Sequence, residues 1–480
     1  MAWFEIALKI VPLINILLAV VIIFVERKDV NTTLTWLMVL LLLPVLGFFL
    51  YLLFGQNLSR HKIFKLKAEE EKLLKNNMLS NKEYIKNSKI YSSNEVKIYR
   101  KLINLYIHHN IATFSDNNKI EIFTDGNKKF DALFKAIAEA KEYIFLEYFI
   151  FKNDDIGTKL RNALVEKARS GVEVKLLYDR LGSRFIHKRF LKPLIEAGGK
   201  IAVFFPSKFK MISLHINYRN HRKIVVIDDR IGFVGGMNIG DEYLGKSKKF
   251  GGWRDTHLRI DGDAVDSLKL RFLLDWRYAT GEDLYFTIHK NKKTEQSTGV
   301  PMQIVASGPN SQWETIKFGF LSIIGDAKES IYIQTPYLIP DEGMRELLKV
   351  AVLSGVDVRI MIPNMPDHPF VYWATYHYAG ELLKLGAKIY IYQKGFMHAK
   401  NIIVDKKIVS VGTTNMDIRS FRINFEVNAF IYDLTTASEF HRIFMKDIEN
   451  STELTVKQYE NRKLIIKIKE SISRLLSPIL

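Results

Sequence analysis

His221-Arg222-Lys223-Ile224-Val225-Val226-Ile227-Asp228 and His398-Ala399-Lys400-Asn401-Ile402-Ile403-Val404-Asp405 read as one stretch written twice. Each opens with a His-x-Lys pair, runs through apolar residues and ends in Asp. Working outward, glycines follow at Gly235-Gly236 and at Gly412, and then an asparagine, Asn238 or Asn415. His, Lys, Asp and Asn all recur at a single offset of 177 positions. One His-x-Lys alone is commonplace at the end of a solvated strand. Two copies with matched Asp, Gly and Asn imply that one half-site was built twice. Two such halves can close on a single phosphate with two imidazoles and two ammonium groups.

The repeat is wider than the motif. Ala140-Lys141-Glu142-Tyr143-Ile144 is echoed by Ala327-Lys328-Glu329-Ser330-Ile331, and Ser170-Gly171-Val172-Glu173-Val174 by Ser354-Gly355-Val356-Asp357-Val358. The offset drifts as loops change length, which marks duplication of a whole domain. Strand-like runs at Ile120–Phe123, Tyr143–Ile150, Val172–Tyr178, Lys200–Phe205, Lys223–Ile227 and Ile231–Val234 alternate with helical patterns at Phe130–Lys141 and Gly157–Ser170. This predicts an α/β fold with two α/β/α lobes, over 118–290 and 300–456, each around a largely parallel sheet. Gly281 to Gly299 reads as the linker, 57–117 as a polar helical connector, and 457–480 as a basic amphipathic helix. In the last, Leu464, Ile465, Ile468, Ile472, Leu475 and Leu476 fall on one face, ringed by Arg462, Lys463, Lys467, Lys469 and Arg474. Both a lipid interface and packing against the body suit that pattern.

Charge and hydropathy point to a membrane. The chain has 480 residues and a formal net charge of +18. Residues 1–56 sum to zero, so the excess lies in the body and calls for anionic partners. Leu34 to Phe54 carries no charge, and Trp3 to Val25 carries only Glu5 and Lys9 near one end. Both runs are long enough to cross a hydrocarbon core of roughly 30 Å. A two-helix transmembrane hairpin (about 3–25 and 34–54, kinked at Pro44) is expected, in preference to a cleaved signal peptide. Arg60, Lys62, Lys65 and Lys67 follow the second run, which puts the body on the cytoplasmic side. Cysteine is absent, which excludes disulfides, thiolate nucleophiles and thiolate metal sites.

A neutral imidazole is a competent nucleophile and an imidazolium a competent acid near neutral pH. In-line displacement at phosphorus needs one on each side. Lys223, Lys400, Asn238 and Asn415 would hold the phosphate oxygens and offset their charge, so no metal or cofactor is required. The motif groups Asp228 and Asp405 with the catalytic residues, yet each sits past its strand, where it would anchor the turn. Asp255, 34 residues beyond His221, and Glu426, 28 residues beyond His398, suit the task of orienting an imidazole through its second nitrogen. Ser420 is a weaker candidate. Lys208 and Lys210 could draw anionic headgroups. Aromatics are scattered through strands and apolar runs rather than lining a basic groove, which argues against nucleic acid as partner.

These residues carry a resemblance. The duplicated His-x-Lys-x4-Asp is similar to the signature of the phospholipase D superfamily. More closely, Asn217 to Lys223, Gly235 to Tyr243, Thr335 to Asp341, Gly412 to Phe421 and the apolar start resemble the bacterial cardiolipin synthases. The resemblance implies two phospholipase D-like lobes related by a pseudo-twofold axis, and a multi-pass enzyme of the bacterial cell membrane. It implies joining of two phosphatidylglycerol molecules into cardiolipin and glycerol through a phosphatidyl-histidine. It also implies His221 as nucleophile and His398 as acid and base. A hydrolase using water, a transferase using another alcohol, or a tethered nuclease would use the same residues.

Overall fold

The structure, a computed structural model, describes residues 2–26, 30–51, 94–109, 112–204, 218–282, 299–311 and 313–479. Lys208, Lys210, most of the expected linker and residues 57–93 of the expected connector lie outside the described residues.

The first lobe contains seven main strands: β1 (Asn118–Phe123), β2 (Tyr143–Tyr148), β3 (Glu173–Asp179), β4 (Lys200–Phe204), β5 (Ile224–Ile227), β6 (Ile231–Gly235) and β7 (His257–Gly262). They form one sheet in the order β1-β7-β6-β5-β2-β3-β4. The second lobe repeats it with β8 (Met302–Ser307), β9 (Ser330–Gln334), β10 (Asp357–Pro363), β11 (Lys388–Tyr392), β12 (Asn401–Val404), β13 (Ile408–Gly412) and β14 (Asn424–Ile431). Their order, β8-β14-β13-β12-β9-β10-β11, is the same. A final strand, β15 (Ser451–Leu454), closes the β11 edge and has no counterpart among the described residues of the first lobe.

The expectation of largely parallel sheets is corrected. Only β2-β3-β4 and β9-β10-β11 run parallel, and the other neighbours in both sheets are antiparallel. The reason is visible at Asp228. Three residues separate β5 from β6 in register, far short of the dozen or so that a parallel crossover needs. Asp228 and Asp229 (φ 51° and 52°), and Asp405 and Lys406 (φ 51° and 53°), take the left-handed conformation required at both central positions of a type I′ hairpin.

The outer face of each sheet carries its own helices and core. A third core fills the space between the sheets, where helices Ala264–Thr280 and Leu434–Ile448 lie. Equivalent contacts recur there: Phe145 stacks on Phe272 at 5.0 Å and Tyr332 on Phe444 at 5.1 Å, both at 12°. The described end of the expected connector is not a polar spacer. Val96, Tyr99, Leu102, Ile103 and Tyr106 are buried in the core of the second lobe, and Phe114–Ser115 pairs with β8.

The N-terminal region forms helix Ala2–Val20, continued by a π-helical turn to Glu26, and helices Val30–Leu42 and Pro44–Leu50. Pro44 splits the second apolar run because it has no amide hydrogen to donate to Leu40. Asn15 Nδ2 supplies the missing donor to the Leu40 carbonyl at 3.2 Å and also reaches that of Pro44 at 2.9 Å. Among the described residues no helix is long and apolar enough to cross a membrane. Residues 52–54 of the expected second span lie outside the described residues.

Candidate active site

Two short cross-lobe pairings build the site. Arg219–Asn220, just before His221, runs parallel to Asn424–Phe425, just before Glu426. Trp253–Arg254, just before Asp255, runs parallel to Phe396–Met397, just before His398. Each pairing extends one residue further: the His221 amide donates to the Phe425 carbonyl at 2.9 Å, and the His398 amide to that of Arg254 at 2.7 Å. Parallel pairing sets side chains abreast, so each histidine lies beside the carboxylate that follows the paired residues of the opposite segment. His221 Nδ1 is 3.0 Å from both oxygens of Glu426, and His398 Nδ1 is 2.6 Å from Asp255 Oδ2. Neither lobe orients its own imidazole, which corrects the spacing-based reading of Asp255 with His221 and Glu426 with His398: the partners are exchanged between the lobes.

Gly236 is required for this packing, since a Cβ there would fall 2.0 Å from Asp255 Oδ1. Arginines next to the histidine and the carboxylate hold the seam. Buried Arg222 forks onto Asp275 at 2.6 and 2.8 Å and donates across to the carbonyls of Ser307 and Glu426. Arg254 pairs with Asp447 of the second lobe at 2.7 Å. The sequence reading missed both arginines. The one available signal was that Arg222 occupies the position between motif His and Lys, where a side chain on a strand points away from the site.

Both imidazoles line one cavity of about 390 Å³. Asn238 lines it too, its Oδ1 accepting from the Ile150 amide at 3.0 Å and its Nδ2 donating to the Tyr243 hydroxyl at 2.7 Å. Phe149, Trp253 and Tyr337 form apolar walls, and Asp367 and His368 sit at one side. Trp253 packs against His398 at 5.0 Å and Phe149 edge-on against His221 at 5.0 Å. Lys223 and Lys400 are buried behind the rings. Lys223 Nζ donates to the His221 carbonyl at 2.6 Å; Lys400 Nζ donates to that of His398 at 2.5 Å and lies 2.9 Å from its Nδ1.

Burial dominates the electrostatics. It lowers His221 below the ordinary imidazole value despite Glu426, and burial together with Lys400 lowers His398 to about 4. Desolvation brings Lys223 down to about 7 and Lys400 to about 8. For Asp255, burial is overridden by Lys400 and then His398, leaving it at about 2; Glu426 is lowered likewise by His221. Both imidazoles therefore rest neutral, each with its Nδ1 facing a carboxylate, and the tautomer that donates from Nδ1 would leave Nε2 as the free base.

Four sequence candidates fall elsewhere. Asp228 and Asp405, grouped with the catalytic residues by the motif, are corrected to turn anchors. Asp228 accepts from the amides of Lys141, Glu142 and Tyr143, and Asp405 from those of Lys328, Glu329 and Ser330. With their acceptor sites filled by backbone donors, they tie each hairpin to the start of the neighbouring strand. Ser420 is fully buried away from the cavity lining, its amide donating to Asp417 at 2.5 Å. Asn415 is also buried outside the lining, and its Oδ1 has no hydrogen-bond partner.

Comparison with known proteins agrees with this geometry. The sequence pattern of the family described as "Cardiolipin synthase, PLD-like domain" matches residues 133–249 and 320–448, and that described as "Phospholipase D-nuclease N-terminal" matches 13–56. The chain is 51% identical over 483 residues to the major cardiolipin synthase ClsA of Bacillus subtilis (strain 168), covering 99% of each. It is 49% identical over 470 residues to a cardiolipin synthase of Staphylococcus aureus (strain Mu50), covering 98% and 95%. The crystal structure of phosphatidylserine synthase from Haemophilus influenzae Rd KW20 superposes with a TM-score of 0.60 over 81% of this chain and all of that one, at 15% identity, a likeness of fold. With a family pattern covering both lobes and near-half identity along the full length of its relatives, the chain belongs to the bacterial cardiolipin synthases of the phospholipase D superfamily.

Proposed function

We propose that this phosphatidyltransferase joins two phosphatidylglycerol molecules into cardiolipin and glycerol through a covalent histidine intermediate. The observation that carries the mechanism is the pair of imidazoles on one cavity, each held through Nδ1 by a carboxylate of the other lobe. His221 Nε2 attacks phosphorus as the bond to the departing glycerol oxygen breaks, and His398 Nε2–H gives that oxygen its proton. The second phosphatidylglycerol then enters; His398 takes its hydroxyl proton, the new oxygen–phosphorus bond forms, and the bond to His221 breaks. His398 rests neutral, so it must bind a proton before the first step, and the phosphodiester anion entering the cavity favours that protonated form. Lys223 and Lys400 supply the positive charge that offsets the phosphoryl oxygens from behind the rings. Asn238 contributes a polar edge at the cavity, whereas Asn415 lies outside its lining.

The apolar N-terminal helices are read as the membrane hairpin, with the body on the cytoplasmic side. The uncharged run from Leu34 to Phe54 and the basic residues after it support this. Incubating the purified full chain with phosphatidylglycerol tests the reaction. Cardiolipin and glycerol in equal amounts are expected. Phosphatidic acid as the main product would make the enzyme a hydrolase instead.

A further inference from the structure

The C-terminal helix Leu464–Leu476 is mounted inside out. A surface helix ordinarily buries its apolar stripe and turns its polar face to water. Here the residues facing the body are polar: Glu470 and Ser473 are each 1% exposed, whereas Leu464 is 72% exposed. Glu470 is held by Arg462 at 2.7 Å and by the Tyr459 hydroxyl, and Ser477, just past the helix, bonds Tyr378 at 2.9 Å. Ile465, Ile468, Ile472 and Leu475 join Leu464 on the outward face. At 100° per residue these five span about a third of the helix circumference. Lys469 borders the stripe on one side, with its Nζ 5.3 Å from the Trp373 ring, and Lys463, Lys467 and Arg474 lie on the other.

Two further contacts say what covers this face. Leu476 packs into the small core of the N-terminal helices formed by Ile22, Trp36, Val39, Leu40 and Tyr51, so the stripe continues into their exposed apolar surface (Leu13, Ile16, Leu17, Leu41, Leu46). The helix also lies along helix Pro369–Leu385, whose leading residues Asp367 and His368 line the catalytic cavity and whose Phe370 is exposed. We propose that Leu464, Ile465, Ile468, Ile472 and Leu475 form an interfacial foot that inserts into an anionic lipid surface and sets the cavity mouth at headgroup level. This deepens the lipid-transferase reading and rests on it. The apolar stripe enters the acyl boundary, while the bordering lysines and arginine reach anionic headgroups, each worth about 1 kcal/mol. The polar seat on Glu470 keeps the stripe outward without help from the membrane.

The absence of native cysteine makes the test direct. Full-length protein carrying a single cysteine at Leu464, Ile468, Ile472 or Leu475 is labelled with a polarity-sensitive fluorophore and reconstituted into vesicles of phosphatidylglycerol and phosphatidylcholine. Blue-shifted emission and quenching by a lipid-borne quencher are expected at these four positions and absent at Asp131→Cys, exposed on the first lobe. Labels at Ile468 and Ile472 that stay open to an aqueous quencher would overturn the proposal. So would oxidative disulfide formation between two copies of Ile472→Cys in the same vesicles, which would make the face a contact between protomers. Ile468→Glu/Ile472→Glu is expected to lower cardiolipin formation on vesicles about tenfold while leaving turnover of monomeric short-chain phosphatidylglycerol unchanged. Equal losses on both substrates would assign the stripe to folding and overturn the proposal. The fluorescence is independent of product, so quenched labels on a protein that makes no cardiolipin would reject the catalytic reading and leave the docking surface standing.

Discussion

The two half-sites are alike in backbone and different in surroundings. Each has a histidine before an antiparallel hairpin, a lysine two residues on, and a carboxylate borrowed from the other lobe. Yet His221 meets both oxygens of a glutamate at 3.0 Å, while His398 meets one oxygen of an aspartate at 2.6 Å with the Lys400 ammonium beside the same nitrogen. The cavity is asymmetric as well. Most of its lining comes from the first lobe, and the second contributes Tyr337, Asp367, His368 and His398. Duplication therefore supplied two interchangeable frames, and the nearby charges and walls give the two imidazoles different surroundings, burial lowering the pKa of both. Crossed orientation makes the halves interdependent, because neither lobe alone completes an imidazole–carboxylate pair.

Removing the imidazoles probes this asymmetry hardest. His221→Ala and His398→Ala should each lower turnover by about 10⁴-fold or more while the protein still folds. They should part company on a substrate whose leaving group needs no proton, such as a nitrophenyl ester. There His398→Ala should still form a radiolabelled phosphatidyl-enzyme and His221→Ala should not. Label trapped by His221→Ala would reverse the assignment.

The crossed carboxylates come next. Glu426→Gln and Asp255→Asn should cost about 10²–10⁴-fold in kcat by releasing the tautomer, although each residue lies in the lobe opposite the histidine it serves. Glu426→Asp should recover part of the loss. A Glu426→Gln enzyme with unaltered kcat would show that the contact is only structural.

The pH profile tests the lysines. Ammonium charge is present below the lysine pKa and lost above it, so kcat/KM should fall as pH rises through about 7 to 8, the values of Lys223 and Lys400. On the acid side, the lowered pKa of His221 keeps the nucleophile neutral to below the ordinary imidazole range. Lys223→Arg retains charge, and its alkaline limb should move to higher pH. An unmoved limb would assign it to another group.

The smallest catalytic effect is expected at the motif aspartates. Asp228→Ala and Asp405→Ala each leave three backbone amides without their acceptor, at a cost of about 3 kcal/mol in stability measured by denaturant unfolding. The kcat of the folded fraction should change little. A loss of several hundredfold in kcat with unchanged stability would return them to the chemistry.

The amino-acid sequence by itself determined that there are two equivalent lobes, and it singled out His221 and His398 as the pair that the lobes bring to one cavity. Repeats at constant offset and His-Lys pairs are local patterns, and local patterns survive in one dimension. It also determined the basic apolar tail, since helical periodicity is read from neighbours three and four residues away. Sheet direction was legible in principle, at the three-residue gaps after Ile227 and Val404, but alternation of strands and helices outweighed that signal. What only the tertiary structure decided was partnership across distance. Glu426 serves His221 and Asp255 serves His398, Arg222 and Arg254 lock the seam, Val96 to Tyr106 belong to the second lobe, and the tail turns its apolar face outward. Each of these depends on which surfaces meet once the chain has closed, and residues some 200 positions apart leave no periodic trace of such a meeting.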